Sequence, residues 1–201
     1  MPIIIRLARS GDADEIARIY RPFVESTIIS FETVPPEPSE IADRIAATMV
    51  QYPWLVCERN HRIMGYAYAT RHRDRKAYQW SVDTSAYVAP PFWRQGVGGG
   101  LYRSLLAILS AQGFVNAYAG IALPNPASVG LHESVGFRSV GVYRSVGYKL
   151  GAWHDVGWWA LRLRPLVSLP AAPVGMSAMQ VRNDWASLLA EGQSAIRDGS
   201  R

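Results

Sequence analysis

A chain of 201 residues is enough for one domain and an appendage. Apolar types supply 49% of it and charged types 18%, which excludes wholesale disorder, while 21 basic against 16 acidic residues leave a charge of +5 that suits an anionic ligand without selecting one. The lone Cys57 excludes an internal disulfide framework and a multi-cysteine metal site, and no apolar run approaches the ~18 residues of a membrane span.

Arg6 follows the apolar start at once, so residues 2–5 do not read as a secretory leader, and a soluble, cytoplasmic protein is expected. A short strand is expected over 3–7. Asp12 and Glu15 have the spacing of a capping box, with Ile16, Ile19, Tyr20 and Phe23 at helical spacing behind them. Three prolines make 31–40 irregular, and a second helix should follow over 39–50. Runs 54–58 and 63–70 are rich in β-branched and aromatic residues, with Asn60-His61 as the turn between them. A strand over 79–88 stops at Pro90-Pro91, which donate no ladder hydrogen bond.

From Gly98 the period becomes helical, with Leu101, Leu105, Ile108 and Leu109 on one face and Gly113 as a stop. A strand over 114–123 leads to Asn125 as N-cap, Pro126 as first helical residue and Gly136 as terminator. Strands over 137–146 and 152–163 complete a domain expected to span 1–164. A proline-rich linker over 165–175 then leads to an extension, 176–201. There Met179, Trp185, Leu188 and Leu189 give a weak helical pattern that would dock on the body or on a partner.

The densest chemical signal is Trp93-Arg94-Gln95-Gly96-Val97-Gly98-Gly99-Gly100, between an expected strand and an expected helix. Glycines let a backbone approach a ligand closely, and the free N–H groups of a first helical turn favour an anion. The run is not a P-loop, because GxxxxGKS/T is absent. Nor is it a GxGxxG fingerprint, because Leu101 holds the third glycine's place. From these residues alone it is either a phosphate cradle or a plain strand-to-helix turn.

Arg94-Gln95-Gly96-Val97-Gly98 resembles the pyrophosphate loop, Q/R-x-x-G-x-G/A, of the GNAT N-acetyltransferases. Tyr52-Pro53-Trp54-Leu55-Val56, Gly65-Tyr66-Ala67-Tyr68-Ala69, Leu123-Pro124-Asn125, the stretch from Leu131 to Phe137 and the stretch from Val146 to Val156 are similar to its phosphinothricin acetyltransferase group, in matching order. The resemblance implies an α/β domain (α+β in some schemes). Its core would be a mixed, mostly antiparallel, splayed sheet of about six or seven strands flanked by about four helices. It also implies acetyl-CoA as cosubstrate, no metal, and a homodimer. One departure is Trp93, where the loop usually begins with Gln or Arg.

By the same resemblance, Ala86, Tyr87 and Val88 would pair with the pantetheine arm, and Arg94, Gln95, Gly96, Val97, Gly98 and Gly99 would hold the diphosphate. Asn125 would contact the cofactor arm, act as an N-cap, or both. Asp83 aligns with the family's proposed glutamate base, one methylene shorter; read alone, it is an ordinary exposed strand carboxylate. His132, in the L-Y/H-E-x-x-G-F motif, would serve as base or as acid toward the leaving thiolate. Arg73, Arg75 and Tyr78 would grip the acceptor's anionic group in a small closed pocket. Phe31 and Glu32 would line that pocket, and Lys149 would shape it. Trp158 and Trp159 read as core or dimer contacts, and Cys57 as buried and inert.

The expected activity is acetyl transfer to the α-amino group of a small amino-acid-like acceptor of phosphinothricin, methionine sulfoximine or methionine sulfone type. Nucleic-acid and membrane partners are not expected. Three alternatives remain open: acetylation of a peptide or protein N-terminus, a basic nucleic-acid-binding module, and a non-catalytic acyl-CoA-binding protein.

Overall fold

The structure is a computed structural model, described over residues 2–197. In chain order its strands and helices are β1 Ile4–Leu7, α1 Ala13–Ser26, α2 Pro38–Thr48, β2 Trp54–Arg59, β3 Arg62–Arg71, β4 Ser81–Val88, α3 Val97–Gln112, β5 Asn116–Leu123, α4 Pro126–Ser134, β6 Arg138–Lys149 and β7 Ala152–Arg162, followed by two short helices, α5 Met176–Gln180 and α6 Trp185–Ala190. One seven-stranded sheet runs in the order β1-β2-β3-β4-β5-β7-β6. Every pairing is antiparallel except β4 with β5.

Two apolar layers cover the sheet. Ile16, Ile19, Tyr20 and Phe23 of α1, with Ile41 and Ile45 of α2, pack on one face against Trp54, Val56, Ile63 and Tyr66. Leu101, Leu105, Ile108 and Leu109 of α3 are fully buried on the other face with Leu55, Met64, Val82 and Ala117. Burying each such side chain contributes about 1.5–3 kcal/mol. Strand alternation then sorts the polar residues. Val82 and Thr84 are buried on the α3 side, so Asp83, Ser85 and Tyr87 face the α1 side.

Most element boundaries fall within two residues of the sequence expectation, and several stops have the geometry expected. Asn60 and His61 both take positive φ (54° and 59°), as a tight hairpin turn requires. Gly113 ends α3 with φ +101°, and its N–H reaches the carbonyls of Leu109 and Ser110. The Asp12–Glu15 capping box does not form. The Asp12 carboxylate instead accepts from the Arg9 N–H at 2.7 Å and pairs with Arg6 at 2.7 Å, a stronger charged partner than a helix amide.

The extension beyond Pro165 is part of the body. Met176, Met179 and Ile196 are buried in the α3-side core. The Gly192 N–H donates to Ser104 Oγ at 3.1 Å, and that hydroxyl donates to the Leu189 carbonyl at 2.7 Å. Residues 198–201 of the expected extension lie outside the described residues.

Candidate active site

β4 and β5 pair over three rungs only, Ser81–Asn116, Val82–Ala117 and Asp83–Tyr118. Beyond them β4 pairs with β3 alone, and β5 with β7 alone. The facing edges from Thr84 and from Ala119 onward are therefore open, and Thr84 Oγ1 closes the vertex by donating to the Tyr118 carbonyl at 3.1 Å. Ala86, Tyr87 and Val88 lie on this open edge of β4. The Val88 carbonyl is engaged by the indole N–H of Trp93 at 2.7 Å, so the residue that departs from the loop pattern braces the strand.

The glycine loop sits at the mouth of the opening. Arg94 and Gly96 both take positive φ, 62° and 85°, which turns the backbone sharply before α3 begins. Gly100 N is the first α3 amide to reach a carbonyl, that of Gly96 at 2.8 Å. The amides of Val97, Gly98 and Gly99 precede it and find no acceptor among the described residues, and no side chain caps them. Three open amides at a helix start fit a diphosphate. Gln95 turns away, its Nε2 donating to the Pro91 carbonyl at 3.0 Å.

Asp83 stands at the vertex beside Arg73, an expected site residue, and His72, which the sequence reading did not single out. Its Oδ1 meets His72 Nδ1 at 2.6 Å, and Arg73 Nη1 lies 3.9 Å from Oδ2. Burial raises the Asp83 carboxyl above its usual range, and the His72 hydrogen bond and the charges of His72 and Arg73 oppose that rise. The His72 ring stacks on Tyr118 at 4.4 Å and 17° and meets the edges of Tyr78 and Trp158. Trp158, expected as a core or dimer contact, packs here against His72 and Arg73. It lies over Gly120, carries the Arg73 guanidinium on its face at 5.6 Å, and leaves its indole Nε1 a buried donor without a partner.

Arg73, Arg75 and Tyr78 are all exposed; Arg73 turns back to the vertex and Tyr78 lies beside His72. Arg71, Arg73, Arg75 and Lys76 line an open cavity of about 310 Å³ with Gln51, Phe114 and Pro173. After β3 the chain leaves the sheet and forms an exposed turn, Lys76–Tyr78, so this cavity is open where a small closed pocket was expected.

His132 lies on the opposite face of the sheet from Asp83, packed between Tyr102 and Phe137. Its Nδ1 faces the Ser128 carbonyl at 2.7 Å and must carry the proton there, so Nε2 accepts from the Tyr102 hydroxyl at 2.6 Å. Burial lowers its pKa, against the Ser128 hydrogen bond, and keeps the ring neutral at pH 7. Tyr102 was not singled out in the sequence; its place one helical turn after Gly98 was the available signal. Asn125 caps α4, its Oδ1 accepting from Ser128 N at 3.1 Å.

On the α1 face, the loop between α1 and α2 reaches the β6–β7 hairpin. Lys149 Nζ donates to the Ser30 carbonyl at 2.6 Å, and the Phe31 ring covers Gly147. Glu32 accepts from Tyr20 at 3.0 Å and from Arg44 at 2.8 and 3.2 Å. Burial works to raise the Glu32 carboxyl, but these hydrogen bonds outweigh it and hold it below its usual range. Among the described residues no cluster of His, Cys, Asp or Glu is arranged to hold a metal ion, and no helix is long and apolar enough to cross a membrane.

An open-edged vertex beside a glycine-led helix start is the architecture of an acyl-CoA-using transferase, and comparison with known proteins agrees. The acetyltransferase (GNAT) domain model matches residues 5–158. The chain is 40% identical to phosphinothricin N-acetyltransferase of Streptomyces viridochromogenes, over 86% of this chain and 92% of the relative. It is 33% identical to the L-methionine sulfoximine/L-methionine sulfone acetyltransferase of Salmonella typhimurium, over 79% and 94%. Its fold matches that of a phosphinothricin acetyltransferase from Sinorhizobium meliloti in complex with AcCoA, with TM-score 0.77, 32% identity, and coverage of 81% and 89%. The chain belongs to the GNAT acetyltransferase family. It is an acetyl-CoA-dependent N-acetyltransferase, acting on an amino group.

Proposed function

We propose that the protein acetylates the α-amino group of a small amino-acid-like acceptor of the phosphinothricin, methionine sulfoximine or methionine sulfone class, by direct attack in a ternary complex. The observation that carries this reading is the vertex, where the Asp83 carboxylate, the Arg73 cation and an unpartnered indole N–H converge. A carboxylate there supports removal of a proton from an ammonium. Arg73 suits the acceptor's acidic oxygens, with Arg75 and Tyr78 at the rim. Phe31 and Glu32 form the far wall, and Lys149 ties that wall to the hairpin.

In this reading the open edge of Ala86, Tyr87 and Val88 receives the pantetheine arm. The loop from Arg94 to Gly99 receives the diphosphate, beside Asn125. Asp83 then serves proton removal on the acceptor side, while His132, held on the α3 side by Ser128 and Tyr102, orients the Tyr102 hydroxyl there.

The working unit in this reading is a cytoplasmic homodimer. β6 is a long edge strand, and Val140, Tyr143, Val146, Tyr148 and Trp153 on the β6–β7 hairpin are 50–65% exposed, a surface that a second copy would cover.

The test is coenzyme A release with a panel of free amino acids and short peptides, run with wild type and Asp83→Ala. Turnover of an anionic amino acid that falls about 10²–10⁴-fold in Asp83→Ala, with acetyl-CoA affinity kept, supports the reading. Turnover of peptides in preference to free amino acids, or full activity in the variant, overturns it.

A further inference from the structure

We propose that His72 and Asp83 form one proton-accepting unit, in which Asp83 orients the ring and His72 Nε2 takes the proton from the acceptor ammonium. The inference deepens the reading above and rests on it for the acceptor.

Sheet register assembles the pair. Thr70 opposes Asp83 in the antiparallel ladder of β3 and β4, so His72, two residues on, is the diagonal neighbour on the same face. Tyr118 opposes Asp83 in the parallel pair, and Trp158 opposes Gly120, two residues beyond Tyr118. All four side chains therefore meet on one face at the rung where the strands part.

The chemistry follows from the hydrogen bond. A carboxylate only accepts, so the nitrogen 2.6 Å from Asp83 Oδ1 carries the proton, and in the neutral ring the lone pair sits on Nε2. That nitrogen has no hydrogen-bond partner among the described residues, and the His72 side chain is 12% exposed. The stack on Tyr118 and the edges of Tyr78 and Trp158 fix the ring plane. Arg73, 3.9 Å from the other carboxylate oxygen, favours the ionised form that holds the tautomer. His132, by contrast, has both nitrogens committed. The imidazole also answers the missing methylene, since it extends the reach of the short Asp83 side chain outward by one ring.

In balanced form, one N–H proton of the acceptor ammonium passes to His72 Nε2. The freed lone pair forms the N–C bond at the thioester carbonyl carbon and the C–S bond breaks. A second nitrogen proton ends on the thiolate as thiol, and the imidazolium returns its proton to water. The charged and titratable groups facing the ring are Asp83, Arg73, Tyr78 and Tyr118.

The test uses His72→Phe, which keeps an aromatic ring in the stack, and His72→Gln, with wild type. The expected result is a fall of about 10²–10⁴-fold in kcat/KM, a flattened acidic limb of its pH profile, partial rescue of His72→Phe by added imidazole, and unchanged acetyl-CoA affinity. Activity within twofold of wild type with the same acidic limb overturns the proposal. Nitrogen-15 shifts of the His72 ring decide independently of turnover: a neutral ring protonated on Nδ1 supports the unit, and one protonated on Nε2 overturns it. If wild type acetylates no free amino acid, the acceptor reading fails, and the tautomer measurement still judges the pair.

Discussion

Gly100→Ala asks whether the C-terminal extension belongs to the fold, and its sign gives the answer. Gly100 is buried in α3, where a β-carbon would stand 2.6 Å from Ile196 Cγ1 and 2.7 Å from the Gly192 carbonyl oxygen. The isoleucine end can move, but the carbonyl is backbone, and Gly192 itself lies against the Gly100 backbone. Overpacking of this kind costs about 1–3 kcal/mol. Against it, replacing glycine by alanine inside a helix contributes about 0.8–1.0 kcal/mol. The balance is a loss of about 0–2 kcal/mol in the full chain. In a chain ending at residue 191 the clash is gone, and the same substitution stabilises by about 1 kcal/mol. Urea unfolding of the four proteins, at matched m-values, reads both signs. A stabilisation of about 1 kcal/mol by Gly100→Ala in the full chain would refute the docked extension.

Tyr102→Phe leaves the buried His132 Nε2 without its donor and should cost about 1–3 kcal/mol in thermal or urea unfolding; a loss under about 0.5 kcal/mol contradicts the hydrogen bond. Burial pushes the Cys57 thiol from 9.0 up to about 12, so its thiolate is depleted about 10³-fold and it should resist thiol reagents at pH 8 until the protein unfolds. Rapid labelling of native protein would exclude that burial. Burial works to raise the Asp12 carboxyl, but the Arg6 and Arg9 hydrogen bonds outweigh it and hold the pKa below its usual value. A lowered folded pKa stabilises above the unfolded value, ~3.9. The cost of Asp12→Ala, about 1.5–3 kcal/mol at pH 7, should therefore fade as pH drops below about 4; a pH-independent cost in unfolding curves contradicts it.

The elements were legible where local chemistry alone decides them. Gly113 takes the left-handed stop its type favours, Asn125 caps through its own oxygen, and the hairpin residues Asn60 and His61 turn as their types allow. The Asp12 box misled because its partner, Arg6, sits in a different element, and spacing along the chain carries no information about a charge across it. Met179, Trp185, Leu188 and Leu189 announced an extension that would dock on the body or on a partner, but the groove that receives it was hidden for a similar reason. Gly96, Gly100 and Ser104 recur every four residues and blur the helical pattern of α3, yet that spacing is the groove in which Gly192 and Ile196 lie.

The site divides along the same line. The glycine loop and Asp83 stand in motifs that one stretch of chain contains whole. His72 lies in a basic run past the last clear alternation of β3, where it reads as solvated surface. Only the register of Thr70 against Asp83 carries the strand's alternation two residues further and turns the imidazole toward the carboxylate. A slip of one residue would send His72 to the α3 face and leave Asp83 with Arg73 as its one near charge. In the proposed mechanism the base is thus a property of strand pairing, and Glu at position 83 without His at position 72 would be a different solution to the same proton transfer.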